Sequence, residues 1–263
     1  MSGRASLVLA VLPFALLAAI YLYGSAARHA ENPDDKVMPT VGQLADGIWR
    51  AAFEADRKGE YRLWVDTKAS LRRLAIGLGL AALVGLAVGL NIGVLPIARA
   101  ATYPFLIFFA KIPPLALLPI LFILFGVEEK AKIILIFVGV APVIAIDMYL
   151  RAREIPYEQV VKALTLGASQ PEVIYKVVLP QIFPKLLSAV RLSLGPAWLF
   201  LIAAESIAAD VGLGYRIFVV RRYMAMDVII PYVFWITFLG YLMDLALRLW
   251  MRWGFRWVGE GEK

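Results

Sequence analysis

Six apolar runs decide what this chain can fold into. They are Leu7–Tyr23, Leu74–Val94, Phe105–Phe125, Ile133–Leu150, Leu186–Ala209 and Val228–Met251. Each is close to the length, about 20 residues, that crosses the hydrocarbon core of a bilayer as a helix. Lipid offers the backbone no hydrogen-bond partners, so a span of this length must satisfy its own N–H and C=O groups. The fold class expected is therefore an all-α membrane protein of about six transmembrane helices. Composition agrees: 61% of the 263 residues are hydrophobic and only 18% are charged, whereas soluble domains are nearer half apolar.

The formal charge of +7 does not indicate nucleic acid, because the basic residues are dispersed between apolar runs and form no basic domain. Anionic membrane lipid is the simpler partner. With no cysteine and one histidine, His29, neither a disulfide framework nor a metal site is expected. No nucleophile elbow, P-loop or zinc spacing is present, so no catalytic residue and no cofactor are assigned, and any ATP hydrolysis must occur in a partner.

Taken in order, residues 1–23 form a first span. The small residues Gly24 to Ala27 would suit cleavage of a leader, but a retained helix is expected because the rest of the chain is also membrane-embedded. Residues 24–70 read as an extracytoplasmic loop with turns at Pro33-Asp34-Asp35 and Pro39-Thr40. A short amphipathic helix is expected over Leu44 to Phe53, and an interfacial anchor at Tyr61, Leu63 and Trp64. Residues 71–251 form the transmembrane core. In its first run Gly77, Ala81, Gly85, Gly89 and Gly93 recur every four residues, which lines one helix face with small side chains for close packing. The next run is interrupted by Pro113 and Pro114, which remove two backbone donors and break the helix. Lys111 stands just before that break, to snorkel or to face a pathway.

Asp147 and Arg151, and Asp244 and Arg248, are spaced i, i+4 for ion pairs. Pro142 is expected to kink one span and Gly195-Pro196 to break another, ahead of Trp198 and Glu205. Glu205, an acid inside a span, needs a partner or a cavity; Lys111 is one candidate. The candidate pathway or gate residues are thus Lys111, Pro113, Pro114, Trp198 and Glu205. Asp210 to Asp227 reads as a loop, and residues 252–263 as a tail with interfacial Trp253 and Trp257.

A polar island, residues 151–185, interrupts the second half. Pro156 suits a first helical turn, Tyr157 to Leu166 reads as a short helix, and Gly167 suits its left-handed end. Ser169 with Glu172 three residues on is a capping box that opens the next helix, and Leu179-Pro180 closes the unit. The product is a helical elbow between two spans.

The elbow carries a resemblance. Inner-membrane subunits of ABC importers share a loop of pattern E-A-A, three residues, Gly, nine residues, I-x-L-P. Here Ala163, Gly167, Leu179 and Pro180 match in register and Val177 replaces the Ile, while Val161 and Lys162 stand where Glu and Ala are usual. The stretches Lys111 to Ile133, Arg191 to Glu205 and Gly212 to Ile217 resemble the nitrate/taurine/sulfonate type of these permeases. The resemblance implies a type I importer fold and a cytoplasmic coupling loop at residues 151–185, with Ala163, Gly167, Ala168, Ser169, Leu179 and Pro180 serving ATPase coupling. It also implies two ATP-binding subunits, an extracytoplasmic solute-binding protein, a homodimeric pathway and a bacterial inner-membrane location. Lys and Arg are divided almost evenly between the two sides, so the resemblance and not the positive-inside rule sets the orientation. The long first loop and the string from Gly195 onward also resemble permeases associated with urea carboxylase and guanidine, implying a nitrogen-rich solute such as guanidine or urea.

Two other classes compete. A membrane enzyme would use His29, Asp34 and Asp35 and need no ATPase. A stand-alone secondary transporter would show internal repeats, and none is evident between the two halves.

Overall fold

The structure is a computed structural model that describes residues 3–56 and 59–255. Trp257 and most of the tail lie outside those residues. Among the described residues eleven α-helices follow one another, and five are long and apolar enough to cross a membrane. A bent pair supplies a sixth crossing when counted as one span. The chain divides into two compact units, residues 1–65 with 216–236 and residues 66–215 with 237–263.

In the first unit, α1 (Gly3–Glu31) runs well past the apolar run. Its last turns are tied to the following loop by polar bonds that hydropathy does not register. Ser25 Oγ donates to Met38 O at 2.9 Å, Tyr21 OH to Pro39 O at 2.7 Å, and Arg28 pairs with Asp35 at 2.7 Å. The Arg28 guanidinium beside Asp35 holds that carboxyl well below the usual range. Helix α2 (Val41–Phe53) is opened by a capping box between Thr40 and Gln43. Gly47 lets it lie against the backbone carbonyl of Asp227, where a Cβ would overlap, and Arg50 reaches the Asp227 carboxylate at 2.7 Å. Trp64 donates to Ala52 O at 3.0 Å and meets Trp235 edge-on. Leu63 is buried, so it is a core residue and not part of an interfacial anchor.

The second unit is built on α6 (Glu129–Arg153) and α9 (Leu179–Ile207), which hold the most deeply buried apolar side chains, among them Ile136, Ile144, Met148, Ile182 and Leu201. Helix α3 (Arg62–Val94) lies against α6 along its small-residue face. A Cβ on Gly77 would come within 2.8 Å of Ile136, on Gly85 within 2.7 Å of Ile144, and on Gly89 and Gly93 within 2.5 Å of Ala145 O and Ala152 Cβ; Ala81 is fully buried. Helix α4 (Pro96–Phe109) and α5 (Leu118–Phe125) are joined through Pro113-Pro114 and a 3-10 turn, and the pair bends by 84°. The paired prolines thus do break this span.

Gly195-Pro196 does not. Helix α6 is continuous through Pro142 and α9 through Pro184 and Pro196. A single proline leaves one carbonyl without its usual donor, which a long packed helix absorbs, whereas two in sequence at a helix end do not allow the turn to close. Leu179-Pro180 does not close the elbow either. Helix α8 (Gln170–Glu172) passes through a π-helical stretch, Val173–Val178, directly into α9. Pro180 has no N–H, and its ring crowds the carbonyl of Lys176 within that stretch, a recognised cause of such a register slip. The segment read as a loop before the last span contains α10 (Leu213–Arg221), and α11 (Met226–Gly254) completes the chain.

Candidate functional site

Two sites in the second unit hold the residues singled out by sequence. The first is the elbow. Helix α7 (Tyr157–Thr165) ends where Gly167 takes φ +91°, with Gly167 N–H donating to Leu164 O and Ala168 N–H to Ala163 O, both at 3.0 Å. These two hydrogen bonds form a Schellman closure, which needs the left-handed residue between its donors and acceptors. Ser169 then sends its N–H and its hydroxyl to Glu172 Oε2, each at 2.9 Å. The inner side of the elbow packs on a cluster in which Val173, Ile174 and Val178 meet Leu90 and Ala152, with Val160, Ala163, Ala168 and Leu179 against it. Lys185 to Glu154 at 3.0 Å and Gln181 to Gln159 at 3.1 Å fasten its base. The Lys185 ammonium, and then the Arg151 guanidinium, hold the pKa of the Glu154 carboxyl below its ordinary value. The outer side is apolar and uncovered: Tyr157, Val161, Leu164 and Leu166 are all exposed, as are Lys162 and Gly167.

The second site surrounds Glu205. This carboxylate is 0% exposed and accepts from Arg73 Nη1 at 2.6 Å, Ser70 Oγ at 2.8 Å and the Gly214 N–H at 2.9 Å. Its cationic partner is Arg73, so the pairing with Lys111 is not the one formed; Lys111 and Pro113 are exposed. Arg73, itself 4% exposed at the side chain, also bonds Glu129 at 2.7 Å and Val211 O at 2.7 Å. Asp66 accepts the Gly212 N–H at 3.0 Å. Gly212 has φ +140°, and a Cβ there would stand 2.5 Å from the Glu205 carboxyl carbon. One knot therefore joins α3, the start of α6, the end of α9 and the loop before α10. Trp198 is buried elsewhere, beside Gly240, with its indole N–H unpaired among the described residues.

Sequence reading missed Arg73, Ser70 and Asp66. The signal was available, since 66, 70, 73 and 77 fall on one helical face and continue the small-residue stripe. Asp244 pairs with Arg248 at 2.7 Å as the spacing implied, and also with Arg191 at 2.7 Å across to α9. Among the described residues no group of His, Cys, Asp and Glu is disposed to hold a metal.

Comparison with known proteins places this geometry. Residues 78–259 match the family of the binding-protein-dependent transport system inner membrane component. The chain belongs to that family. The taurine transport system permease protein TauC of Escherichia coli is 34% identical over 198 residues, covering 75% of this chain and 72% of its own. The bicarbonate transport system permease protein CmpB of Synechococcus elongatus is 33% identical over 203 residues, covering 76% and 73%. Among solved structures, an inward-facing MetNI methionine ABC transporter aligns with a TM-score of 0.65 at 22% identity, over 75% of this chain and 98% of that one. The permease is thus a subunit of an ABC importer of the taurine/sulfonate/bicarbonate type with a type I fold, and ATP hydrolysis belongs to a separate subunit. Such permeases work with ATP-binding subunits and binding proteins.

Proposed function

We propose that the elbow is the seat of the ATP-binding subunit, and that the permease works as a homodimer in the bacterial inner membrane with two such subunits on the cytoplasmic side. One observation carries this: Tyr157, Val161, Leu164 and Leu166 form an exposed apolar crest on a helix whose opposite side is anchored in the core. A patch of this kind marks an interaction surface, and its rigid base allows a displacement of the crest to reach α6 and α9, the helices on either side. Residues Ala163, Gly167, Ala168, Ser169, Leu179 and Pro180 shape the crest more than they touch the partner. Residues 24–70 then lie outside the membrane and meet the solute-binding protein, residues 71–251 form the pathway with lipid around it, and the tail is cytoplasmic. The groups around Pro113 and Pro114 remain gate candidates, and Glu205 acts as scaffold for the loop before α10.

Gly167→Arg tests the docking. A side chain at Gly167 meets nothing within 4 Å, so its internal cost is the left-handed backbone, about 1–2 kcal/mol. The variant is expected to insert and fold but to lose the ATP-binding subunit on co-purification; normal docking by the variant sinks the assignment.

The solute is proposed to be a small nitrogen compound such as guanidine or urea. In support, a cavity of about 980 Å³ in the first unit is lined by Asp34, Asp46 and Glu54 together with Asp35 and Asp227, which Arg28 and Arg50 pair, and by Lys36 as the remaining cation. That excess of carboxylates suits a cationic or donor-rich solute better than the taurine and bicarbonate of the relatives' names. Uptake of labelled guanidine and taurine by vesicles with and without the permease decides between them.

A further inference from the structure

A second cavity, of about 170 Å³, lies between α6 and α9. Gly139, Val143 and Asp147, at successive turns of α6, form one wall, and Leu192, Ser193 and Pro196 of α9 the other. Asp147 is the one charged group in this lining. Ser193 has already given its hydroxyl proton to Ala189 O at 2.9 Å. Asp147 is different. It forms the i, i+4 ion pair with Arg151 that its spacing implied, at 3.6 Å to Nε, a separation too long for a hydrogen bond. The same guanidinium turns instead to Glu154, donating to it at 3.1 Å. Among the described residues no group donates to the Asp147 side chain. An ionised carboxylate has room for about four hydrogen bonds, and one left half-used beside a cavity inside a span marks a pathway site.

We infer that Asp147 selects cations in the solute path between α6 and α9, its ligand a small organic ammonium or amidinium ion. This rests on the permease being the pathway subunit. The cavity's size sets the scale, since at about 30 Å³ per water it corresponds to roughly six waters. The rest of the wall is mainly apolar, so the carboxylate is the main polar contact offered to the ligand. An anion at the same place meets a like charge that Arg151, at 3.6 Å, offsets only in part.

The chain has no cysteine, so Val143→Cys puts a single thiol on the cavity wall one turn before Asp147. The experiment uses the full-length chain with its co-purifying partners in membrane vesicles. It compares modification by a trimethylammonium-ethyl and by a sulfonatoethyl methanethiosulfonate, each rate divided by that reagent's rate with free cysteine and read from the mass of the permease chain. A negative site predicts that the cationic reagent reacts faster by about tenfold or more, that Asp147→Asn abolishes the preference, and that Asp147→Glu keeps it. Equal rates, a preference that survives Asp147→Asn, or no reaction with either reagent overturns the inference. If the ATP-binding subunit is present in the same sample, such a result leaves the permease reading intact; if that subunit is absent, both fall together.

Discussion

At the scale of single residues the Glu205 knot is a fully buried charge pair, with Glu205 0% and Arg73 3% exposed. Removing one partner of a buried ion pair leaves the other charged and uncompensated, at a cost of about 3–5 kcal/mol. Glu205→Gln keeps an acceptor for Ser70 but leaves Arg73 with the half-exposed Glu129 as its remaining carboxylate, beside Val211 O. The variant is expected to lose stability of that order in a thermal unfolding assay of the purified protein, and an unchanged midpoint would refute the scaffold role. Gly212→Ala attacks the same knot from the backbone side. With φ +140° and a Cβ pressed against the Glu205 carboxylate, it is expected to be destabilising by about 1–3 kcal/mol. The same substitution at Gly195, inside α9 where a Cβ meets nothing, serves as the control, expected not to destabilise and to gain up to about 1 kcal/mol. These contacts were hard to read from sequence because Arg73 and Glu205 are 132 residues apart, and because Asp66, Ser70 and Arg73 look like solvated loop by hydropathy. What places them is burial along one face of α3, a three-dimensional property that only their 3.6-residue periodicity hints at.

At the scale of elements, legibility follows locality. The elbow was readable because its determinants sit within a few residues of one another: Gly167 for the left-handed end, Ser169 and Glu172 for the next start. The break at Pro113-Pro114 was readable for the same reason. The continuity of α9 through Pro196 and the merger of α8 into α9 were not, since both depend on neighbouring helices that absorb a lost hydrogen bond. The elbow's attachment is also open to titration. Lys185 and Arg151 hold Glu154 below the ordinary carboxylate value, so the pair contributes fully above that ordinary value, about 4.3, and its contribution is lost as pH falls through the lowered one. Hydrogen exchange of the Tyr157–Thr165 amides is therefore expected to rise on acidification below about pH 4, and Lys185→Met is expected to raise it already near neutrality. Exchange that ignores both changes would show that the ion pair does not fasten the elbow.

For the whole molecule, the fold and the family agree that this chain is the membrane half of a machine whose energy source lies elsewhere. Among the described residues the long-range bonds form networks that join helices, such as the Glu205 knot and Asp244 held by Arg191 and Arg248. If the elbow is the proposed docking seat, such networks would let a push there move the second unit as one body. The competing enzyme reading gains nothing from the geometry of its residues, since Asp35 is committed to Arg28 and His29 Nδ1 lies 2.9 Å from Ser25 O. The measurement that tests the account most directly is affinity purification of the tagged permease from its native membrane, with quantitative mass spectrometry of what accompanies it. The account predicts an ATP-binding subunit in near-equal amount to the permease, lost when Gly167→Arg is introduced. Recovery of the permease alone, in detergents that hold other ABC complexes together, would contradict it.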